Sequence, residues 1–328
     1  MSYKNTHIAK LSSFIPTFFE PLRRQGVPIE KLLRGHPLNK FDLNGPDNYV
    51  PMMALYDFMY KCDRYLGPPG VMSLLSSDNA SEPLSDYAKN MFSNPNLLGL
   101  IEDSIKYEAV IATNLRAHFK ITGSRSRFSF VFIDPPSPGW EFGVAVLIIN
   151  TMEVFKLFGG PDWTPLELQV PGTSVRKIEK LLPKGDYPIK YGYPDYGIIF
   201  PTTMLYMSNP YFEIYAKSEK PKMADFSVAN CTERLLKSYK PGLMGTMDDM
   251  ADYFNLSTRT VRRMLKEEGK TFTELRERAI FLRSLDLLST SEYKIHEIAE
   301  YLGYSESANF IRFFKTYSGI SPGMLRNS

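Results

Sequence analysis

Apolar side chains in the last third of the chain recur at helical spacing, and one arrangement of them is written twice. Met247, Met250, Ala251 and Phe254 stand at i, i+3, i+4 and i+7, a single stripe along a helix. Ile295, Ile298, Ala299 and Leu302 repeat that stripe 48 positions later. Ala251 and Ala299 fall where two crossing helices come closest, so a small side chain is needed there. Asn255 and Gly303 follow, the two residue types best able to end a helix in the left-handed conformation. Leu256 and Tyr304 then anchor each turn, and Ser257 and Ser305 are placed to cap the next helix. Val261, Met264 and Leu265 seat the second helix of the first copy, as Phe310, Phe313 and Phe314 do in the second, one residue further along. Both copies are therefore expected to be helix, tight turn, helix.

A short helix braced across another is a way to push side chains into a DNA major groove. The outer side of the first copy is basic: Arg259, Arg262, Arg263, Lys266 and Lys270 lie within twelve positions, opposed by Glu267 and Glu268. Arg259, Arg262 and Arg263 are the expected groove-facing residues, because a guanidinium donates two parallel hydrogen bonds to the O6 and N7 edge of guanine. Lys266 suits a phosphate, a contact that positions the protein without specifying sequence. Thr258 and Thr260, with Ser257 beside them, suit phosphate or thymine-methyl contacts. In the second copy Arg312 takes the place of Arg263, and Ser307, Ala308, Asn309 and Lys315 complete the face. That face is poorer in charge and is expected to discriminate bases less strongly. Between the copies, Phe272 to Leu288 reads as an amphipathic helix with Phe272, Leu275, Ala279 and Leu282 on one side. Its 17 residues make a rod about 25 Å long. Major grooves on one face of DNA recur about every 34 Å, so two readers held in parallel would engage adjacent turns without a dimer.

Up to Leu115 the chain reads mainly helical, with candidates at Ile8 to Arg24, at Ile29 to Arg34, and from Pro51 with Met52, Leu55, Met59, Cys62 and Leu66 along one side. A further helix follows Ser93-Asn94-Pro95, striped by Leu98, Ile101 and Ile105. His118 to Thr122 and Phe128 to Ile133 read as paired strands around Gly123-Ser124-Arg125-Ser126. An apolar helix is expected from Glu141 to Phe158, then strands at Leu166 to Val170, Ile189 to Tyr193 and Gly197 to Phe200, with a helix from Ser174 to Leu182 between the first two. Interleaving of this kind indicates an α+β domain ending near Pro210. The polar run KSEKPKM, Lys217 to Met223, reads as a linker.

With 43% hydrophobic and 13% aromatic residues, the 328-residue chain can bury real cores, which excludes wholesale disorder. Net charge is only +3, and residues 223–328 hold 15 Lys/Arg against 14 Asp/Glu, so basic charge is placed rather than abundant. Cys62 and Cys231 lie in different expected domains and give no disulfide framework, which fits a reducing cytoplasm. The opening MSYKNTHIAKLSSF lacks the basic-then-apolar pattern of a signal peptide. The most apolar stretch, Phe142 to Ile149, is closed by Asn150, Thr151 and Glu153, short of the roughly 20 residues of a membrane span, and reads as a buried helix. His7, His36, His118 and His296 are scattered, so no metal or cofactor is expected. Gly159-Gly160 matches no nucleotide-binding loop and no serine sits in a G-x-S-x-G elbow, so no enzyme is expected. Tyr187, Tyr191, Tyr193 and Tyr196 suit an aromatic pocket or, as the favoured reading, strand packing and rim, as do Trp140 and Trp163, and no ligand residue is assigned.

From about Ala224 to Ser328 the chain resembles the DNA-binding domain of the AraC/XylS family of bacterial transcription regulators. The likeness rests on TMDDMADYFNLSTRTVRRMLKEEGKTF, on KIHEIAEYLGYSESANFIRFFKTYSGISPGMLR, and especially on Tyr317-Ser318-Gly319-Ile320-Ser321-Pro322. It implies seven helices, two helix-turn-helix units and transcriptional activation. It places the groove-facing positions at Arg259, Arg262 and Arg263, and at Arg312 with Asn309; the small Ala308 departs from the pattern and weakens base reading there. Residues 15–210 resemble the arabinose-binding-type sensor region of one subgroup through SNPNLLGLIEDSIKY, LFGGPDWTPLELQVPG and YGIIFPTTMLYMSNP. That likeness implies a ligand-binding or oligomerising module and names no ligand.

The expected architecture is thus an α+β sensor domain, then an all-α domain with two helix-turn-helix units joined by a linker helix. Its divisions fall at residues 1–215, 216–223 and 224–328. The expected function is a cytoplasmic, sequence-specific regulator, an activator, modulated through its N-terminal domain by a small effector or by dimerisation. Its partners would be double-stranded promoter or operator DNA, RNA polymerase, a small effector and a second copy of the chain, with no membrane. The rival expectation is a regulator controlled by protein contacts, without a small ligand.

Overall fold

The computed structural model describes residues 7–45, 47–67, 70–71, 90–133, 137, 139–172, 182, 185–220 and 227–326. The N-terminal region is α+β. Strands β1 (Ile8–Lys10) and β2 (Tyr49–Pro51) pair antiparallel. A five-stranded sheet holds β3 (Leu115–Thr122), β4 (Arg125–Phe132), β5 (Glu167–Pro171), β6 (Ile189–Tyr193) and β7 (Tyr196–Pro201), in the order β3-β4-β7-β5-β6. Its pairings are antiparallel except β5 with β6. Thr122 pairs with Arg125, so the β3-β4 turn is the two residues Gly123-Ser124 rather than the expected four. Gly123, at φ +59°, supplies the conformation such a turn needs.

Helix α1 (Met52–Leu66) buries Met52, Leu55, Met59 and Cys62, the expected stripe, and α2 (Leu97–Lys106) is capped by Asn96, whose Oδ1 accepts from the Gly99 amide at 3.0 Å. Helix α3 (Trp140–Gly159) lies against the sheet, with the Phe155 ring 4.8 Å from Phe200 and 6.3 Å from Phe128. By length and composition it could cross a membrane, yet it is a core helix with Trp140, Val144, Ile148, Met152 and Phe155 buried. Its polar residues find local partners. Thr151 donates to the Leu147 carbonyl at 2.8 Å, and Lys156 meets Glu153 at 2.7 Å.

The expected helix from Ile8 to Arg24 does not form as one element. In its place stand β1, a 3-10 turn at Leu11–Ser13, a wide turn at Ile15–Phe19 and a short helix at Glu20–Arg24. Pro16 and Pro21 have no amide proton to continue a ladder. The Ile8 amide instead donates to Thr113 Oγ1 at 2.9 Å. The second candidate shortens to Ile29–Leu32. The helix expected from Ser174 to Leu182 lies outside the described residues apart from Leu182, as do residues 221–223 of the expected linker.

The C-terminal region is all-α, with seven helices among the described residues: α4 (Val228–Lys237), α5 (Met247–Tyr253), α6 (Thr258–Glu267), α7 (Phe272–Thr290), α8 (Ile295–Tyr301), α9 (Ser307–Ser318) and α10 (Pro322–Arg326). Leu235, Met250, Phe254, Val261, Leu265, Leu275 and Ala279 belong to a core continuous with that of the N-terminal region. Leu287, Leu288, Ile298, Leu302, Phe310 and Phe314 form a separate one. Helix α7 borders both; its 19 residues span about 28 Å.

Among the described residues, Phe41 and its neighbours join the two regions. Phe41 is fully buried, with its ring 4.8 Å from Tyr239 and 5.5 Å from Tyr253. The Asp42 and Tyr49 amides donate to the Ser238 carbonyl and hydroxyl at 2.9 and 2.8 Å, and the Lys240 amide donates to the Lys40 carbonyl at 2.8 Å. The Lys40 ammonium bonds Asp249 in α5.

Candidate nucleic-acid interface

The two turns are set by backbone conformation. Asn255 has φ +50° and Gly303 φ +84°, as their types led us to expect. A Cβ on Gly303 would stand 3.1 Å from the Gly242 carbonyl oxygen, so this turn also needs the space that glycine leaves. Ala251 and Ala299 are buried beneath the crossing helices. A capping box starts α5: the Asp249 amide donates to Thr246 Oγ1 at 3.0 Å, and the Thr246 amide donates back to the Asp249 carboxylate at 2.9 Å.

Helix α6 is capped by Ser257, whose Oγ accepts from the Thr260 amide at 3.2 Å and lies 2.9 Å from the Thr260 hydroxyl. Val261 and Leu265 are buried, which fixes the rotation of the helix. Arg259, Arg262, Arg263 and Lys266, at i, i+3, i+4 and i+7, are all exposed and share the side away from the core. Thr258 and Thr260 are half-buried near the helix start. The two opposing acids behave differently. Glu267 makes a solvent-exposed pair with Arg263 at 3.2 Å. Glu268 turns away and accepts from the Val228 and Ala229 amides at 3.0 and 2.8 Å, capping the start of α4. The basic row is less opposed than its sequence indicated, and the end of α6 is tied to α4.

Helix α9 opens differently from expectation. Its N-cap is Glu306, without a side-chain capping bond, rather than Ser305. The second copy has one more residue between turn and helix, which carries Ser305 out of capping position. Phe310 and Phe314 are buried, and Tyr304 anchors the turn with its ring 5.7 Å from Phe310. Ala308, Arg312 and Lys315 are exposed, while Ser307 and Asn309 are half-buried. Arg312 donates to Asn309 Oδ1 at 2.9 Å. Ile311 is exposed on the same helix at 37% and had not been singled out in the sequence; register against α6 would have revealed it.

Residues 250–328 match the family described as "Helix-turn-helix domain". The chain carries an AraC-type helix-turn-helix domain. It is 38% identical over 78 residues to the HTH-type transcriptional regulator VqsM of Pseudomonas aeruginosa, covering 24% of each chain. It is 34% identical over 77 residues to the transcriptional activator AggR of Escherichia coli, covering 24% of this chain and 29% of that one. These alignments thus span about a quarter of the relatives' length. The crystal structure of transcriptional regulator CdpR from Pseudomonas aeruginosa aligns over 97% of this chain and 98% of its own, at 15% identity and a TM-score of 0.39. The AraC-type match begins inside α5 and takes in both exposed helix faces; α4 lies ahead of it. Among the described residues no group of three His, Cys, Asp or Glu side chains is placed to hold a metal.

Proposed function

We propose that this protein is a sequence-specific DNA-binding transcription regulator, acting as an activator, in which α6 and α9 enter major grooves of promoter or operator DNA. The observation that carries this reading is the exposed Arg259, Arg262, Arg263 and Lys266 row on a helix rotationally fixed by buried Val261 and Leu265, inside an AraC-type domain. In α6 the three arginines read bases, Lys266 holds phosphate, and Ser257, Thr258 and Thr260 lie along the backbone. In α9 Arg312, Asn309, Ala308, Ser307 and Lys315 form the second contact. RNA polymerase is the further partner of an activator, and the cytoplasm is its place of action. Residues 1–215 form the regulatory domain and 216–223 the connection to the DNA-binding domain at 224–328, with DNA engagement set by a small effector or by dimerisation.

The Lys40, Phe41 and Asp249 contact supports such control, since any change in the N-terminal domain that moves this segment reaches α5 directly. A second reading, control by a protein partner without a small ligand, is favoured by Tyr206 and Ile214, exposed at 69% and 68% shortly before the connection. Selection of binding sites from random duplexes with the full chain tests the main reading. A recurring site protected over two adjacent major grooves is expected. Binding no tighter than to random competitor would reject it.

A further inference from the structure

The two exposed helix faces differ in chemistry at defined positions. Helices α6 and α9 superpose in register at a spacing of 49 residues: buried Val261 and Leu265 correspond to buried Phe310 and Phe314, and exposed Arg263 and Lys266 to exposed Arg312 and Lys315. The same register sets Arg259 against Ala308 and Arg262 against Ile311. Both replacements are exposed, and both are apolar. Ile311 takes no part in the core beneath α9, where Phe310, Phe313 and Phe314 already fill the inward side. A β-branched aliphatic residue stands where the sister helix offers a guanidinium, outside the core cluster and 37% exposed.

Resting on the proposed DNA-binding function, we propose that the second helix-turn-helix selects thymine through an apolar shelf made by Ala308 and Ile311. Among base edges in the major groove, the thymine 5-methyl is the apolar feature that Ala and other small apolar groups contact. Arg312, steadied by Asn309, sits one helical turn beyond Ala308 and next to Ile311, available to an adjacent base or phosphate. The second helix is therefore a reader of different type from the first, rather than a weaker copy. The operator is asymmetric, with a guanine-selecting part under α6 and a thymine-selecting part under α9, so one orientation of the protein on DNA is favoured.

Deoxyuridine lacks only the 5-methyl group and isolates this contact. Thymines of the selected operator are replaced one at a time by deoxyuridine, and full-length protein is titrated onto each duplex by fluorescence anisotropy. One or two positions are expected to lose affinity about fourfold, the worth of one buried methyl. At those positions Ile311→Ala should shrink the preference for thymine over deoxyuridine, and Ile311→Arg should move base selection toward guanine. Ile311 is exposed, and unchanged circular dichroism would show that the variants fold. Equal binding of wild-type protein to every deoxyuridine duplex overturns the inference, as does an Ile311→Ala protein whose preference for thymine equals that of wild type at every position. Those results leave the regulator reading standing, because specific binding is their starting point. Absence of any selected operator rejects both.

Discussion

At the scale of single residues, the proposed DNA-binding role would give the exposed row on α6 two kinds of contact that experiments separate. Replacing Arg259, Arg262 or Arg263 by alanine should each cost about 1–3 kcal/mol of operator binding and relax base choice at one position. Competition against single-base operator variants measures both effects, and unchanged selectivity in all three proteins would remove the assignment. Lys266→Ala should instead weaken binding to most sequences alike and lower the slope of log affinity against log salt by about one. A change of base preference in that variant would mean that Lys266 reads a base. Glu267 stands beside this row and Glu268 does not, a difference that arises because Glu268 has the α4 amides within reach. Sequence order alone made the two acids equivalent, since α4 is some forty residues away along the chain.

At the scale of elements, the turns decide how firmly the second helix of each helix-turn-helix unit is held. Asn255 pays a steric cost at φ +50° that glycine avoids, so Asn255→Gly should be nearly neutral in urea unfolding. Gly303→Ala should destabilise by about 1 kcal/mol or more, because its Cβ meets both the unfavourable φ and the Gly242 carbonyl. A neutral Gly303→Ala would show that this turn tolerates another conformation. The duplicated helices were legible because each carries its own stripe, turn residue and spacing within about 25 positions, all local signals. The β3-β4 hairpin and α3 were legible for the same reason, with ends wrong by a few residues. The segment at Ile8 to Arg24 was not, because its apolar residues suit a helix and its outcome depends on partners far along the chain. Ile8 pairs with Pro51 and bonds Thr113, and no window of the local sequence contains either. Ser305 was misplaced by a single inserted residue, too small a change to disturb the periodicity that revealed the repeat.

At the scale of the whole molecule, the first helix-turn-helix unit shares its core with the N-terminal region and the second does not. The seam includes a titratable group. Burial would raise the Asp249 carboxyl above its ordinary value of 3.8, but the Lys40 ammonium and the Thr246 amide and hydroxyl outweigh it and hold the group lower. A carboxyl depressed on folding contributes stability that is whole above its unfolded value and is lost as pH falls through the lower folded one. Urea midpoints should therefore fall on acidification below about pH 4, and Lys40→Ala should flatten that fall while costing under about 1 kcal/mol at neutral pH. An identical acid limb in both proteins would detach Lys40 from the effect. Phe41 carries the apolar part of the seam, and nothing in its own neighbourhood of sequence announces that its ring lies against Tyr239 and Tyr253. Truncating a buried phenylalanine to alanine costs about 3–5 kcal/mol, partly through the cavity left behind. The loss should be spatially uneven. In hydrogen exchange, Phe41→Ala should speed exchange of amides in α4, α5 and α6 and leave α8 and α9 close to wild type, because Phe310, Phe314 and Ile298 pack in a core that Phe41 never touches. Uniform acceleration across both helix-turn-helix units would mean that α7 couples them into one cooperative unit, so that a disturbance at Phe41 reaches the second as readily as the first.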